Sequence, residues 1–124
     1  MKKLFYLFVF LFISSFAYSQ GTVMERYNNG QKKYVNIYTG SGIAEKLTKS
    51  YYYNAGCNNV IQEIRYYDSK GKMYKNTKFH RCTSKISWSS VYSHKTDKTT
   101  DKSYNEDGTL MDGYPKVYDG NKAG

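Results

Sequence analysis

The sequence predicts an all-β fold: a single small antiparallel sheet, or meander, of hairpin repeats with at most one short helix. The first reason is a turn motif that recurs along the chain: a tyrosine, then Asn or Asp, then one or two further residues, then Gly. The second reason is the pattern between these motifs. These segments alternate apolar and polar residues, or are dense in β-branched and aromatic residues, as is typical of half-buried strands.

The turn motif supplies the residue types that a hairpin needs. The tyrosine ends one strand, Asn or Asp starts the turn, and Gly takes the positive-φ position that closes it. Residues 31–34, 72–75 and 109–111 are then predicted to be return strands. Copies of the motif occupy residues 27–30, 53–56, 67–71 and 104–108, and a shortened copy occupies residues 118–120.

The segments between the turns carry strand patterns. Residues 34–38 alternate, so Val35 and Ile37 are predicted to share one face of a sheet. Residues 60–67 are dense in β-branched and aromatic side chains, and residues 86–92 place apolar side chains on one face. These patterns predict half-buried strands.

Two segments depart from the strand pattern. Residues 42–50 have apolar positions spaced for one or two helical turns. Residues 94–103 contain no apolar residue and are predicted to be a loop or a long exposed hairpin tip. The β domain is predicted to run from about residue 22 to 118, with a polar C-terminal tail from about residue 115.

Residues 1–19 have the layout of a secretory signal peptide. A basic start precedes an unbroken apolar run at residues 4–13, and the small residues Ala17 and Ser19 precede the predicted cleavage site. A membrane helix needs about 20 apolar residues, so this run is too short to span a bilayer. We expect residues 20–124 to be exported to the periplasm, the cell envelope or the medium, without a transmembrane segment after cleavage. The alternative is a retained anchor.

The composition predicts a folded but thin domain. The chain has 19 Lys and Arg against 10 Asp and Glu, a net charge of +9, and only Phe79 of its six phenylalanines lies beyond the predicted signal peptide. Few aliphatic residues remain in the mature part, which alone predicts disorder. Most of the 15 tyrosines lie there, however, and a tyrosine buries a large ring while its hydroxyl finds a partner. The alternative is a partly disordered chain that its partner orders.

The two cysteines, Cys57 and Cys82, predict a structural disulfide. An exported chain with an even number of cysteines normally oxidises. A lone pair is no complete zinc site, and the spacing is not that of a CxxC redox motif. The alternative is two free thiols buried apart from each other.

Two segments, YNNGQKK at residues 27–33 and YYDSKGKM at residues 66–73, resemble the bacterial variant of the MORN repeat. The best matches cover residues 26–34, 66–75 and 104–111. The resemblance implies a binding or structural module on an antiparallel sheet, with no catalytic residues to carry over. The family includes proteins labelled as antitoxin components. A chain exported from the cytoplasm would fit an immunity-like or envelope-associated role better.

Catalysis by histidine would have to use His80 and His94, because the chain has no other histidine. A small basic secreted protein with two histidines and many lysines suggests a nuclease or toxin-like hydrolase, in which one imidazole acts as base and the other as acid. Surface histidines are the alternative, and a non-enzymatic chain is the main prediction. No cofactor and no metal are predicted.

The remaining functional feature is a basic strip interleaved with tyrosines. Such a strip binds anionic polymers or head groups, and outside the cell an anionic glycan or membrane surface is favoured over nucleic acid. A protein partner is also predicted, and a merely solvated lysine face is the alternative. The predicted binding residues are Tyr66, Tyr67, Lys70, Lys72, Tyr74, Lys75, Lys78 and Arg81.

Overall fold

In the computed structural model, the described residues form one open antiparallel sheet of eight strands, and each strand after the first pairs with the one that precedes it in the chain. The structure describes residues 20–40 and 42–123, so the predicted signal peptide lies outside the described residues. The strands are β1 Gln20–Arg26, β2 Lys32–Thr39, β3 Lys46–Tyr53, β4 Ile61–Tyr67, β5 Met73–Phe79, β6 Ile86–Ser93, β7 Lys98–Ser103 and β8 Lys116–Asp119. The predicted fold class is confirmed.

The turn motif forms the same hairpin turn three times. In the first turn the Tyr27 amide donates to the Gln31 carbonyl at 2.9 Å, and the Gly30 amide donates to the Tyr27 carbonyl at 2.9 Å. The equivalent two bonds close the turns at residues 68–72 and 105–109. Gly30 has φ +85°, a left-handed conformation that glycine adopts without the steric cost of a side chain. The sequence therefore placed these turns correctly.

The strand register divides the side chains between two faces, because residues paired across strands lie on the same side of a sheet. We call them the lysine face and the polar face. The lysine face carries the rows Ile37, Lys49, Tyr66, Lys75, Val91, Thr100 and Val35, Tyr51, Ile64, Thr77, Ser89, Lys102. The polar face carries the rows Asn36, Ser50, Arg65, Asn76, Ser90, Asp101 and Tyr34, Tyr52, Glu63, Lys78, Trp88, Ser103.

The best-buried row of the sheet is polar rather than apolar. Among the described residues, Val35 and Cys57 are the buried hydrophobic ones, while Ser50 and Ser90 on the polar face are 2% and 0% exposed. Ser50 Oγ donates to Asn36 Oδ1 at 2.6 Å, and Ser90 Oγ donates to an Asp101 carboxylate oxygen. These cross-strand bonds satisfy the two buried hydroxyls, whereas Oδ1 of Asn76, which lies in the same row, has no hydrogen-bond partner among the described residues.

Residues 94–103 are not the predicted loop throughout. The turn is confined to residues 94–97, and β7 begins at Lys98 between β6 and β8. Thr99 in β7 is fully buried, and its Oγ1 donates to the Gly120 carbonyl at 2.7 Å and accepts from the Lys122 amide at 2.8 Å. The predicted exposed hairpin tip is present at residues 94–97. The prediction was wrong for residues 98–103 because it relied on apolar content, whereas hydrogen bonds and two neighbouring strands hold this segment.

Two further boundaries differ from the prediction. The helical pattern at residues 42–50 yields only a 3₁₀ turn at Gly42–Ala44, because β3 begins at Lys46 and pairs with both β2 and β4. The segment predicted to be a polar tail contains β8, which pairs with β7. In both cases pairing with a neighbouring strand overrides the local residue pattern.

A disulfide and several hydrogen bonds tie together the turns at one end of the sheet. Cys57, in the turn after β3, is bonded to Cys82, in the turn after β5, with their Cα atoms 5.3 Å apart. Gln31 reaches the same turn by donating from Nε2 to Asn58 Oδ1 at 3.1 Å. The predicted disulfide is confirmed, and the alternative of two separate thiols is excluded.

Candidate anion-binding face

The centre of the lysine face is an aromatic ring flanked by two ammonium groups. Tyr66 lies on β4, and its cross-strand neighbours are Lys49 on β3 and Lys75 on β5. The Lys49 and Lys75 Nζ atoms lie 5.4 and 5.0 Å from the centroid of the Tyr66 ring. The negative face of an aromatic ring attracts cations at this range, so Tyr66 holds both ammonium groups in place.

These lysines have no carboxylate partner among the described residues. Two other lysines are neutralised: Lys33 lies 3.0 Å from Glu25, and Lys98 lies 3.0 Å from Asp119. No described carboxylate oxygen lies within 4.0 Å of the Nζ atoms of Lys49, Lys75 or Lys102. Their three charges are therefore in excess on this face.

The three unpaired lysines lie on every second strand. Lys49, Lys75 and Lys102 belong to β3, β5 and β7, and alternate strands of a sheet are about 10 Å apart. Lys49 and Lys75 share one row, and Lys102 lies in the adjacent row. The positive charge thus runs across the strands as a line.

A hollow of about 380 Å³ between β6 and β7 continues this line. Val91, the cross-strand neighbour of Lys75, forms part of its wall and is 39% exposed. The wall combines three hydroxyls, a lysine, a tyrosine and one aliphatic side chain: Ser89, Val91, Ser93, Thr100, Lys102 and Tyr104. This chemistry suits a small polar ligand with one apolar side.

Three of the predicted strip residues lie in this region. Tyr66 and Lys75 are central, and the Tyr74 ring lies 6.4 Å from the Tyr66 ring. Tyr67 follows Tyr66 at the end of β4, where it pairs with Met73.

The remaining strip residues lie elsewhere. Lys70 and Lys72 are in the turn after β4, Arg81 is in the turn at the opposite end of the sheet, and Lys78 is on the polar face. Lys78 Nζ lies 5.0 Å from the centroid of the Trp88 ring. Successive side chains of a strand point to opposite faces of the sheet. Lys75 and Lys78 are three positions apart in β5, so they lie on different faces.

The sequence prediction missed Lys49 and Lys102. Lys49 is half-buried and Lys102 is exposed. Both are distant in sequence from Tyr66, and only the register of β3 with β4 and of β6 with β7 brings them to the lysine face. A strand assignment alone gives no register, so sequence reasoning had no signal that would have found them.

The polar face contains one internal ion pair in the rows given above. Arg65 Nε donates to Glu63 Oε2 at 2.7 Å, and the guanidinium carbon lies 4.5 Å from the centroid of the Tyr52 ring. The hydrogen bond to Glu63 is the main cause that raises the pKa of Arg65, while burial raises the pKa of the Tyr52 hydroxyl. The charges of Arg65 and Glu63 therefore cancel, while Lys78 on the same face has no carboxylate oxygen within 4.0 Å among the described residues.

The two histidines are at opposite ends of the sheet. His80 lies in the turn before β6 and His94 in the turn after it, so a strand of eight residues separates them, which is about 25 Å. His94 Nε2 lies 3.9 Å from Asp68 Oδ2. His80 lines a hollow with Arg81, Thr83, Lys85 and Glu106. The structure does not bring the two imidazoles to one cleft.

Comparisons of the chain with models of protein families, with curated proteins and with solved structures found no match. Within residues 20–40 and 42–123, no three His, Cys, Asp or Glu side chains gather as metal ligands. The described part of the chain also has no helix whose length and hydrophobicity would let it cross a bilayer.

Proposed function

We propose that this chain is an exported, non-enzymatic binding module that engages an anionic partner at the cell envelope through its lysine face. The observation that carries the proposal is the pair of unpaired ammonium groups, Lys49 and Lys75, held on either side of Tyr66. Lys102 adds a third charge in the adjacent row.

The arrangement favours a multivalent contact over a single strong one. Each lysine near an anionic surface contributes about 1 kcal/mol, so useful affinity requires several of them to act together. A rigid sheet fixes the spacing of Lys49, Lys75 and Lys102 before binding, which reduces the ordering cost of association.

The disulfide supports export to an oxidising compartment, and the repeated turns support a module built of hairpin repeats. Disulfides persist in oxidising compartments, so the Cys57–Cys82 bond agrees with export. The identical bonds of the turns at residues 27–31, 68–72 and 105–109 agree with a MORN-like hairpin repeat. Finding the chain uncleaved in the cytoplasm of its native cell would contradict export.

The proposal is tested with residues 20–124, disulfide formed, on three immobilised probes: a carboxylated polysaccharide, vesicles of anionic phospholipid, and single-stranded DNA. The triple variant Lys49→Gln, Lys75→Gln, Lys102→Gln loses about 3 kcal/mol, or about a hundredfold in affinity, for whichever probe the wild type binds. The matched control is Lys78→Gln, which removes one charge from the same strand as Lys75 but from the other face.

Three results contradict the proposal. The first is wild-type affinity in the triple variant, and the second is an equal loss from the single Lys78→Gln change. The third is no binding of the wild type to any of the three probes. His80→Ala and His94→Ala bind as the wild type does, because neither histidine belongs to the lysine face.

A further inference from the structure

We infer that the ligand of the lysine face is an acidic polysaccharide with one anionic group per disaccharide, and that one of its sugars occupies the hollow between β6 and β7. This inference rests on the proposed function and narrows it to one class of ligand. It follows from the spacing of the lysines, from the covering of the Tyr66 ring, and from the wall of the hollow.

The spacing of the strands that carry the lysines favours a polymer with widely spaced charges. Lys49, Lys75 and Lys102 leave the backbone on β3, β5 and β7, and strands two spacings apart are separated by about 10 Å. An extended disaccharide has this length. Phosphates of nucleic acid follow one another more closely, at about 3.4 Å along each strand of a duplex. Only every second or third phosphate would meet a lysine.

The Tyr66 ring is not available for base stacking. An ammonium group approaches it from each neighbouring strand, from Lys49 on β3 and from Lys75 on β5. Proteins that hold single-stranded nucleic acid use open aromatic faces as stacking platforms. A covered ring serves instead to fix two charges, which is what a widely spaced polyanion requires.

The hollow has the chemistry of a sugar subsite. A pyranose has hydroxyls around its edge and an apolar face of C–H groups. Ser89, Ser93 and Thr100 supply hydroxyls for its edge, and Val91 and Tyr104 supply apolar surface. The volume of about 380 Å³ is at the lower end of ligand sites, about 300–1,000 Å³, which fits a short piece of a glycan chain.

The hollow is also continuous with the charged row. Val91 is the cross-strand neighbour of Lys75, and Lys102 forms part of the wall. A polysaccharide that places acidic groups at Lys49 and Lys75 therefore runs directly over the hollow. Its next acidic group comes within reach of Lys102, two strands further on.

The test compares soluble oligosaccharides of equal length: one with an acidic group on every second sugar, one with an acidic group on every sugar, and a neutral one. Calorimetry with residues 20–124 is expected to show at least tenfold tighter binding of the alternating oligosaccharide than of the fully charged one. Val91→Tyr, which fills the hollow, is expected to lower the affinity for the alternating oligosaccharide about tenfold. The affinity of the same variant for the fully charged oligosaccharide is expected to stay within twofold of the wild-type value.

The outcomes separate this inference from the proposed function. If affinity simply follows charge density, so that the fully charged oligosaccharide binds best, the spacing inference is wrong while the anion-binding face stands. The same holds if only vesicles or single-stranded DNA bind. If no anionic probe binds, both fail. Ser93→Ala, which removes one hydroxyl from the hollow, tests the subsite if Val91→Tyr does not fold, and wild-type affinity in it would overturn the subsite.

Discussion

The Lys75 ammonium group lies 5.0 Å from the centroid of the Tyr66 ring on the next strand, and the Lys49 ammonium group lies 5.4 Å from the same centroid. One tyrosine thus holds two lysines that have no carboxylate partner among the described residues. An exposed cation–π contact contributes about 0.5–1 kcal/mol, enough to restrict a flexible lysine without neutralising it. The positive charge stays available to a ligand.

Replacing Tyr66 tests whether the ring positions the lysines. Tyr66→Phe keeps the aromatic face and is expected to bind the anionic probe as the wild type does. Tyr66→Leu removes two contacts of about 0.5–1 kcal/mol each, so affinity falls by about five- to thirtyfold if both are needed for binding. Titration calorimetry measures both variants, and wild-type affinity in Tyr66→Leu would show that the ring is not required.

The disulfide contributes a large part of the stability of this thin sheet. Cys57 and Cys82 are 25 residues apart in sequence, and closing a loop of this length stabilises the folded state by about 3.5 kcal/mol in the chain-entropy account. The double variant Cys57→Ala, Cys82→Ala should lose that amount in urea unfolding followed by circular dichroism. An unchanged unfolding midpoint would contradict a structural role for the bond.

Thr99 is expected to be more sensitive to substitution than its neighbour. Thr99→Val removes the buried hydroxyl that bonds both the Gly120 carbonyl and the Lys122 amide, and it leaves these two part-buried groups unpaired at a cost of about 1–3 kcal/mol. Thr100→Val makes the same chemical change on the half-exposed lysine face and should cost under about 0.5 kcal/mol. Equal unfolding free energies of the two variants would contradict the buried role of Thr99.

Asp68 makes the turn after β4 sensitive to acid. The Lys72 and Lys70 amides each donate to its carboxylate at 2.9 Å, and these bonds, with the nearby His94, lower the pKa of Asp68 below 3.8. A lowered pKa in the folded state stabilises the fold above the unfolded-state pKa. That stabilisation is lost as the pH falls through the folded-state value.

Asp68→Asn removes this dependence. Its stability should therefore vary less than that of the wild type between about pH 4 and pH 2. Asp112→Asn is the control, because Asp112 forms no hydrogen bond or ion pair among the described residues. Parallel acid unfolding curves for the wild type and Asp68→Asn would exclude the proposed role.

The fold was largely predictable because a few consecutive residues determine each hairpin turn. A glycine after Asn or Asp determines a hairpin turn within a few residues, and the turn at Tyr27–Gln31 formed as expected. Strand β7 was not predictable from apolar periodicity. Its buried residue Thr99 is polar, and the Thr99 hydroxyl is hydrogen-bonded to the segment that follows β8. Long-range contacts of this kind leave no local pattern.

The candidate site was predictable only in part. The sequence prediction placed Tyr66 and Lys75 in one basic strip. It also included Lys78, which lies on the other face because successive side chains of a strand alternate between faces. Lys49 joins the site through the register of β3 with β4. Register depends on bulges and turn lengths along the whole meander, so residues distant in sequence were missed.

The most direct test of the central claim asks which face an anionic ligand touches. Each face has a natural reporter: the Val91 methyl groups lie on the lysine face, and the indole of Trp88, the only tryptophan, lies on the polar face. During an NMR titration with a carboxylated polysaccharide, the Val91 signals should shift to saturation while the Trp88 indole signal stays in place. A saturable Trp88 shift with unchanged Val91 signals would contradict the account.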